Sequence, residues 1–474
     1  DLVWVKCRNA AQHHRLIDSV RGVNRDLITS GTYGEQNQDN SNSVSAFNNN
    51  GFSIGPDGAV NTTNNTYVAW SWDAGSSNTS ISVGGLNTSA YDQSENWSSL
   101  LSASGGTGFS NQGNGAFAGT DTHQDYTYVT GASSGTNYTI TFTPPSAISY
   151  TKSVVVRVEA NHGEASIDGG STWVSGGSSG VCTFSGSGSF SSIIVRDARG
   201  QYSGEFHSIR IDGKLLVNYG VTPPSVPSIA STNRANPTAG MSIVKYQGNG
   251  STSSPSIAHG LNAPLGLVII KNTSGSQSYP DWYVKHKDIG DNYNTRLNLT
   301  AGRELATGWY QGGIDNLTSS NVVSFVTGSQ TSTGNVNTNG NNYIAYCFAP
   351  VEGFSQFGKY SGNSSTSGRY IYTGFKVAWL MVKKINNTDA NSGWHIYDDT
   401  RDPHNRVENW LLAEAPYYEN RAANNTADMG GYYNFDFLSN GFRPVHSSNN
   451  LNQSGSEYIY AAFASAPFKY ARAR

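Results

Sequence analysis

The sequence is poor in charged residues and has no long hydrophobic run. Only 13% of its 474 residues are charged, about half of the roughly 25% found in an ordinary globular protein. The net charge of -3 offers no basic footprint for a polyanion, which predicts that nucleic acid is not a partner. No apolar run approaches the roughly 20 residues that cross a bilayer, so membrane insertion is not expected. Disorder is disfavoured too, because aromatic residues make up 12% of the chain.

Cysteine is also scarce. Cys7, Cys182 and Cys347 lie far apart, their number is odd, and no Cys-x-x-Cys spacing occurs. This pattern predicts neither a disulfide framework nor a zinc site. We interpret the three residues as small buried hydrophobes.

What the chain has in abundance is glycine, tyrosine and uncharged polar residues. It contains 53 glycines and 27 tyrosines, with many Asn, Ser and Thr residues between short apolar runs. Gly, Asn and Ser favour turns, whereas Thr and Tyr favour strands. The composition therefore predicts an all-β fold with many tight turns.

One strand pattern occurs three times. A short apolar strand ending in lysine is found at Leu2–Lys6, Leu267–Lys271 and Trp379–Lys383. Downstream of each lies a strand that begins with tyrosine and ends with an aromatic residue, at Tyr67–Trp72, Tyr343–Phe348 and Tyr458–Phe463. Because the order is kept and only the loop lengths differ, we interpret these segments as three copies of one domain. Shared positions such as Trp72, Phe348 and Phe463 are expected to form core.

Two further elements recur in part. Asn50-Gly51 and Asn440-Gly441 each separate apolar runs, which predicts hairpins. The second copy keeps only Val322–Phe325 of this element. An opening strand occurs only twice, at Met241–Tyr246 and Phe354–Tyr360, so we expect the sequence to begin inside a repeat.

These patterns divide the chain into five segments. Between the first and second copies lies a further set of strand candidates, with a type I′ hairpin expected at Asp212-Gly213. The predicted segments are repeat 1 at 1–75, an inserted β-sandwich at 76–225, a linker at 226–240, repeat 2 at 241–352 and repeat 3 at 353–474.

Several motifs carry a resemblance to a known family. They are Arg234–Gly240, Tyr246–Gly250, His259–Leu261, Asn341–Phe348, Tyr372–Phe375, Leu438–Phe442 and Ala461–Phe463. Together they resemble a module of tail-fibre-like virion proteins from tailed phages of marine and cyanobacterial type. That module resembles the concanavalin A-like lectin/glucanase jelly roll, and the insert is similar to galactose-binding-like sandwiches. The resemblance implies an extracellular phage particle as the location.

Glycan binding typically uses an aromatic ring that stacks on a sugar and nearby amides or carboxylates that bond its hydroxyls. Residues of this kind cluster in the loops that differ between copies. The predicted ligand-binding residues are Trp173, Trp309, Tyr310, Asp315, Tyr417, Tyr418, Tyr432 and Tyr433. An equally open interpretation is that these loops pack against neighbouring subunits.

Catalysis, metals and cofactors are not expected. Glycoside hydrolysis needs two carboxylates that flank one bond, and the Glu-x-Asp-x-x-Glu strand of lectin-like glucanases is missing. Asp121 and Asp125 alternate with His123 and are weak candidates for a cation site, but we interpret them as solvated turn residues. The resemblance places Ala118 where the galactose-binding family often has Asp, which argues against calcium there.

The expected function is that of a phage virion protein, in a tail fibre, tail spike or capsid fibre, that attaches to host-surface glycans. The expected partners are other copies of the chain, with a homotrimer as the first choice, and other virion proteins. Two alternatives stay open: a structural or decoration protein without a ligand, and a polysaccharide-degrading tail-spike enzyme.

Overall fold

The structure is a computed structural model that describes residues 1–37, 43–110, 115–119, 121, 125–131, 138–200, 204–253, 255–274, 281–306, 312–326, 335–386, 392–420, 433–447 and 449–465. The fold is all-β, as the composition predicts, and its sheets are almost wholly antiparallel. Within the described residues, no helix is both long and apolar enough to cross a membrane. The chain forms two compact units. The repeat unit contains Asp1–Val83 and Pro227–Arg474, and the middle unit contains Gly84–Val226.

The middle unit is a β-sandwich. Its two five-stranded sheets enclose a core that includes Phe117, Phe142 and Phe206. Asp212 and Gly213 both have positive φ, as a type I′ turn requires, so this hairpin prediction is confirmed. Short helical turns lie at Asn87–Ala90 (α) and at Trp97–Leu100 and Gly177–Ser179 (3₁₀). The strands are Tyr91–Asp92, Leu101–Ala103, Gly108–Ser110, Tyr128–Thr130, Thr139–Phe142, Ile148–Tyr150, Ser153–Val158, Gly163–Ser166, Val174–Ser175, Val181–Ser185, Gly188–Phe190, Ile193–Asp197, Phe206–Ile211 and Lys214–Leu216.

The repeat unit contains the remaining strands and a short α-helix, Gly58–Asn61, capped by the side chain of Asp57. The strands are Leu2–Cys7, Arg15–Asp18, Arg25–Asp26, Gln36–Asn37, Val44–Asn48, Gly51–Ile54, Tyr67–Trp72, Asn78–Ile81, Ser231–Asn236, Met241–Gln247, Ser256–Ala258, Leu267–Asn272, Trp282–His286, Tyr293–Arg296, Glu304–Leu305, Gly313–Ile314, Val322–Val326, Asn342–Phe348, Ser355–Ser361, Ile371–Tyr372, Trp379–Lys384, Trp394–Asp398, Leu411–Leu412, Phe435–Leu438, Gly441–Pro444 and Glu457–Phe463.

The three sequence copies share one strand register. The lysine strand pairs with the closing strand in each, as Leu2 with Trp72, Leu267 with Phe348 and Trp379 with Phe463. In repeats 2 and 3 an opening strand covers the other edge of the closing strand, pairing Met241 with Phe348 and Ser355 with Phe463. In repeat 1 no described strand pairs with that edge.

A second, smaller sheet lies over the first in repeats 2 and 3. In repeat 3 it consists of Ile371–Tyr372, Gly441–Pro444 and Phe435–Leu438. In repeat 2 its central strand, Val322–Val326, pairs with Ser256–Ala258 and Gly313–Ile314. Val322–Val326 therefore stands in the place of Gly441–Pro444, the second strand of the hairpin. Both strands of a hairpin alternate apolar residues, so the pattern alone does not tell one from the other.

The three repeats meet in one shared core. Trp72, Phe348 and Phe463 occupy the same position in their repeats and touch each other, with ring centroids 6.3 Å, 5.9 Å and 5.8 Å apart. One continuous apolar cluster contains residues from all three lysine strands and all three closing strands. The repeats are therefore arranged around a pseudo-threefold axis.

A ring of hydrogen bonds closes this arrangement. Trp282 pairs with Lys271 and Trp394 with Lys383, and His14 directly precedes Arg15, the partner of Val5. The side chain of each reaches a backbone carbonyl of the next repeat. The bonds are His14 Nε2 to Leu412 O (2.9 Å), Trp282 Nε1 to Ile28 O (2.9 Å) and Trp394 Nε1 to Arg296 O (2.8 Å). Repeat 1 thus donates to repeat 3, repeat 3 to repeat 2, and repeat 2 to repeat 1.

The cysteines agree with the sequence interpretation. Cys7, Cys182 and Cys347 are free and fully buried. Burial raises the pKa of the Cys347 thiol to about 12, so it stays protonated and behaves as a small hydrophobe.

Candidate functional site

The structure describes five of the eight predicted ligand-binding residues: Trp173, Asp315, Tyr417, Tyr418 and Tyr433. Trp309, Tyr310 and Tyr432 lie outside the described residues. Tyr433 is only 6% exposed, and its ring packs against Trp410 and His395. The hydroxyl of Tyr433 accepts a hydrogen bond from Asn450 at 2.9 Å. The ring of Tyr433 is therefore part of the repeat 3 core and cannot stack on a sugar.

The other loop candidates in repeats 2 and 3 are partly tied into the fold. Tyr417 is half-buried and packs against the repeat 3 core. Tyr418 is also half-buried. Asp315 donates its backbone N–H to Ser324 O, and its carboxylate accepts the backbone N–H of Asn316 at 2.7 Å. Its carboxylate therefore stabilises the turn in which it lies.

Trp173 in the middle unit has one ring face occupied. The guanidinium of Arg196 stacks on it, 3.7 Å from the ring centroid. Arg196 is fixed in turn by Glu164, whose carboxylate accepts two N–H bonds at 2.8 Å and 3.0 Å. A ligand can reach Trp173 only on its other face.

Asp121 does not have the surroundings of a cation ligand. Its carboxylate pairs with Arg157 at 3.0 Å and Arg210 at 2.8 Å and accepts a short hydrogen bond from Ser208. Burial raises the pKa of Asp121, but Arg210, Ser208 and Arg157 outweigh it and hold the value at about 2. Two adjacent guanidinium groups repel a metal ion. Among the described residues, which include Asp125, no group of three His, Cys, Asp or Glu side chains is placed to hold a metal.

An exposed aromatic pair in repeat 3 was not singled out from the sequence as a binding site. Tyr370 is 48% exposed and Tyr372 is 66% exposed, while Ile371 between them is buried. Alternation along a strand explains this: Ile371 enters the core, and the flanking tyrosines point outwards. The Tyr-Ile-Tyr alternation is the signal that could have identified the pair.

The strands next to this pair carry polar groups on the same outer face. Ile371 is paired with Phe442 and Tyr372 with Gly441, so the pairing continues from Tyr370 to Arg443. Arg443 is paired with Asp436, and the two side chains form an ion pair at 2.8 Å. We name this surface, formed by Tyr370, Tyr372, Asp436, Asn440 and Arg443, the tyrosine face.

Local contacts hold Tyr370 in place on the tyrosine face. Its hydroxyl lies 3.1 Å from Asn440 O and 2.5 Å from Asn440 Oδ1. Glycine is required at 441, because a Cβ there would lie 2.1 Å from Ile371 O and 2.9 Å from the Tyr370 ring. Partial burial and the neighbouring Tyr372 raise the pKa of Tyr370, so the hydroxyl remains a donor at neutral pH.

The tyrosine face presents several groups that can bind a ligand. Two tyrosine rings offer apolar surface and hydroxyls, Asn440 adds an amide and Arg443 adds a guanidinium group. Asp436 is only 9% exposed. Asp436 is held by Arg443. A neutral, hydroxyl-rich ligand with one apolar face matches this set of groups.

The equivalent surface of repeat 2 lacks these rings. There Ser256 and Ala258 take the positions of Tyr370 and Tyr372, and Asp315 takes that of Asp436. The tyrosine face is thus specific to repeat 3, while the strands that support it are shared.

Comparison with known proteins gives one match. A family model described as a domain of unknown function (DUF7483) matches residues 1–147 and 221–467. The break between the two matched parts lies within the middle unit. No curated protein and no solved structure matches the chain. Because the family model covers most of the sequence, the chain belongs to the DUF7483 family.

Proposed function

We propose that this chain is a virion protein of a tailed phage, in a tail fibre, tail spike or capsid fibre, and that it attaches the particle to host-surface glycans. The observation that carries the glycan-binding part is the tyrosine face, where Tyr370 and Tyr372 are exposed beside Asn440 and the Asp436–Arg443 pair. The virion part rests on the resemblance of the repeat motifs to tail-fibre-like proteins.

The ligand class follows from the balance of groups on the tyrosine face. Sugars present C–H faces that pack on aromatic rings and hydroxyls that bond to amides and carboxylates. A strongly anionic polymer is disfavoured, since the one arginine of the surface is already paired with Asp436. We therefore propose neutral host polysaccharide as the ligand.

Oligomerisation would strengthen a weak site of this kind. A single exposed tyrosine pair buries little ligand surface, so its affinity for one glycan is low. A homotrimer would present three tyrosine faces and gain avidity. Sedimentation of the purified chain measures its mass, and a monomer at all concentrations would contradict this part of the proposal.

The test of glycan binding is an array of host envelope glycans probed with the purified chain and two variants. Tyr370→Ala combined with Tyr372→Ala should lower binding at least about tenfold, because both stacking rings are lost. Tyr219→Ala is the matched control, since Tyr219 is 78% exposed and lies in the middle unit. Binding that survives the double change would exclude the tyrosine face as the site.

A second candidate is a structural virion protein without a ligand. The burial of Tyr433 in the core and the stacking of Arg196 on Trp173 favour it, because both rings are used within the fold. This candidate predicts no glycan binding by the unchanged chain. Antibody labelling of purified particles tests both candidates, since each requires the protein on the virion.

A further inference from the structure

Repeat 1 contains a cavity of about 540 Å³ between its larger sheet and its hairpin. One side is formed by Val3 and Ser71 of the larger sheet, and the other by Phe47 and Phe52 of the hairpin. The cavity reaches Trp72 at the end of the closing strand. It therefore lies at the Ser71–Trp72 end of the closing strand. No described strand pairs with the outer edge of Tyr67–Trp72.

In repeats 2 and 3 this space is filled by the opening strand. Tyr246 stacks on Tyr343 with centroids 5.1 Å apart and an interplanar angle of 12°. Tyr360 stacks on Tyr458 in the same way, at 4.9 Å and 13°. Both stacked tyrosines are buried and donate to a loop carbonyl, Tyr246 to Val336 at 2.7 Å and Tyr360 to Leu451 at 2.8 Å.

Repeat 1 contains the receiving half of this arrangement. Tyr67 stands in the register position of Tyr343 and Tyr458, and its hydroxyl likewise accepts a backbone N–H five residues earlier, from Thr62 at 2.8 Å. The equivalent bonds of Tyr343 and Tyr458 measure 3.0 Å and 2.9 Å. Among the described residues, no ring stacks on Tyr67.

Exposure of the closing strand gives a second, independent observation. Ala69 and Ser71 are exposed, whereas their equivalents in repeat 2, Ala345 and Cys347, are fully buried. The facing strand Gly51–Ile54 is also largely exposed. Among the residues that the structure describes, these two strands of repeat 1 are thus open to solvent where their repeat 2 equivalents are covered.

We propose that the cavity and the open edge of Tyr67–Trp72 bind an extended polypeptide segment of the opening-strand type. The segment adds antiparallel to the closing strand and completes the repeat by β-augmentation. The register of the other repeats assigns its contacts: a tyrosine opposite Tyr67, a lysine opposite Val68 and an apolar residue opposite Trp70. This inference does not depend on glycan binding.

The residues that receive the segment also set its specificity. Opposite Ala345 repeat 2 has Val244, but opposite Tyr460 repeat 3 has Gly358, where a Cβ would lie 2.6 Å from the tyrosine hydroxyl. Repeat 1 has Ala69 at this position and so accepts valine.

The next position towards the C-terminal end of the closing strand also favours a segment of the repeat 2 type. Ala461 is opposite Phe357, whereas Tyr346 is opposite Ile243. Repeat 1 has Trp70 there, a large ring that leaves space for isoleucine rather than phenylalanine. Both positions favour a segment like Met241–Gln247 over one like Ser355–Ser361.

The test uses two synthetic peptides, residues 240–248 and 354–362 of this chain, added to the intact protein. Calorimetric titration should show the first peptide binding at least about tenfold more tightly than the second. The first peptide with tyrosine 246 changed to alanine should bind more weakly than its parent. Amide hydrogen exchange of Tyr67–Trp72 should slow when the first peptide is bound.

A variant of the protein makes the assignment specific. Ala69→Tyr copies the Tyr460 position of repeat 3, so the new ring should clash with Val244 of the first peptide and not with Gly358 of the second. The roughly tenfold preference for the first peptide should therefore shrink, while Trp70 still disfavours the phenylalanine of the second. Ala69 is exposed, and an unchanged melting temperature of the variant confirms that its fold is retained.

Three results would overturn the proposal. One is the absence of binding by both peptides. Another is slow exchange of the Tyr67–Trp72 amides without any peptide, because the edge would then already be covered. The third is a dimer whose formation protects these amides, because a second copy would then be the occupant.

Discussion

Replacement of Trp282 by phenylalanine tests whether the hydrogen-bond ring between repeats stabilises the fold. Trp282 is fully buried, and its Nε1–H donates to Ile28 O of repeat 1 at 2.9 Å. Phenylalanine keeps most of the ring but removes the donor and leaves the carbonyl without it. An unsatisfied buried partner costs about 1–3 kcal/mol. We therefore expect a loss of about 2 kcal/mol in the free energy of unfolding, beyond the effect of the smaller ring.

Trp410 provides the matched control for this change. It is 1% exposed, and within the described residues its Nε1–H has no hydrogen-bond partner. Trp410→Phe removes the same atoms without breaking a bond between repeats. Trp394→Phe, at the position equivalent to Trp282, breaks the bond to Arg296 O and should resemble Trp282→Phe.

Calorimetry and urea unfolding of the three variants measure the difference. A cost of 2 kcal/mol lowers the melting temperature by ~3 °C in a unit of this size. Trp282→Phe and Trp394→Phe should both melt below Trp410→Phe by that amount. Equal melting temperatures for all three variants would refute the view that the ring contributes to stability.

Three further outcomes are expected from the described contacts. Phe463→Ala should cost about 3–5 kcal/mol of unfolding free energy, because it opens a cavity where the repeats meet. Tyr219→Ala, at an exposed site, should be neutral, and equal urea midpoints for the two variants would contradict the expectation. Burial lowers the pKa of His286 to about 4 and of His395 to about 3. Below pH 6.5 these histidines therefore bind protons in the unfolded chain but not in the native protein. The free energy of unfolding should fall between pH 6.5 and pH 4 by on the order of 3 kcal/mol per histidine. A urea midpoint that stays constant over this range would contradict this expectation. Asp121→Asn should lower the free energy of unfolding by about 1–3 kcal/mol, because it leaves two arginines without their carboxylate. Calcium should not raise the melting temperature of the unchanged protein, and stabilisation by calcium would restore the metal interpretation.

The fold class and the strand pairing were within reach of the sequence because they depend on local patterns. Alternation, turn residues and the lysine-strand repeat indicate which segments become strands. The positions shared by all copies, such as Phe348 and Phe463, are in fact core. In repeat 2 the sequence indicates only one strand of the hairpin, Val322–Phe325, because this repeat lacks the Asn-Gly turn that marks the hairpin in repeats 1 and 3.

The candidate site could not be predicted from the sequence, because the exposure of a side chain depends on contacts between residues far apart in the chain. Tyr433 and Tyr372 are both tyrosines beside glycine- and asparagine-rich turns, yet one is in the core and the other is 66% exposed. What separates them is that Trp410 and His395 cover Tyr433. No sequence pattern indicates that packing. The aromatic clusters that the sequence predicts as binding sites therefore differ from the tyrosine face.

Equivalent positions at the three boundaries between repeats carry different residues, and their contacts compensate for the differences. Asp398 accepts a hydrogen bond from Trp70, and Asp18 accepts one from Tyr346. At the third boundary the equivalent position is His286, which bonds instead to the backbone oxygen of Tyr460 at 3.0 Å, because the neighbouring Ala461 has no polar side chain to offer.

Substitutions at such boundaries should be coupled rather than additive. Ala461 has no polar side chain, and His286 bonds to a backbone oxygen instead. Ala461 is also small, and the large Phe357 on the opening strand fills the space beside it. Changing Ala461 to tyrosine alone would crowd Phe357, and the clash should be relieved by Phe357→Ile, the pairing that repeat 2 already uses. A double-mutant cycle in which these two changes add independently would show that the repeats do not compensate across the strand pair.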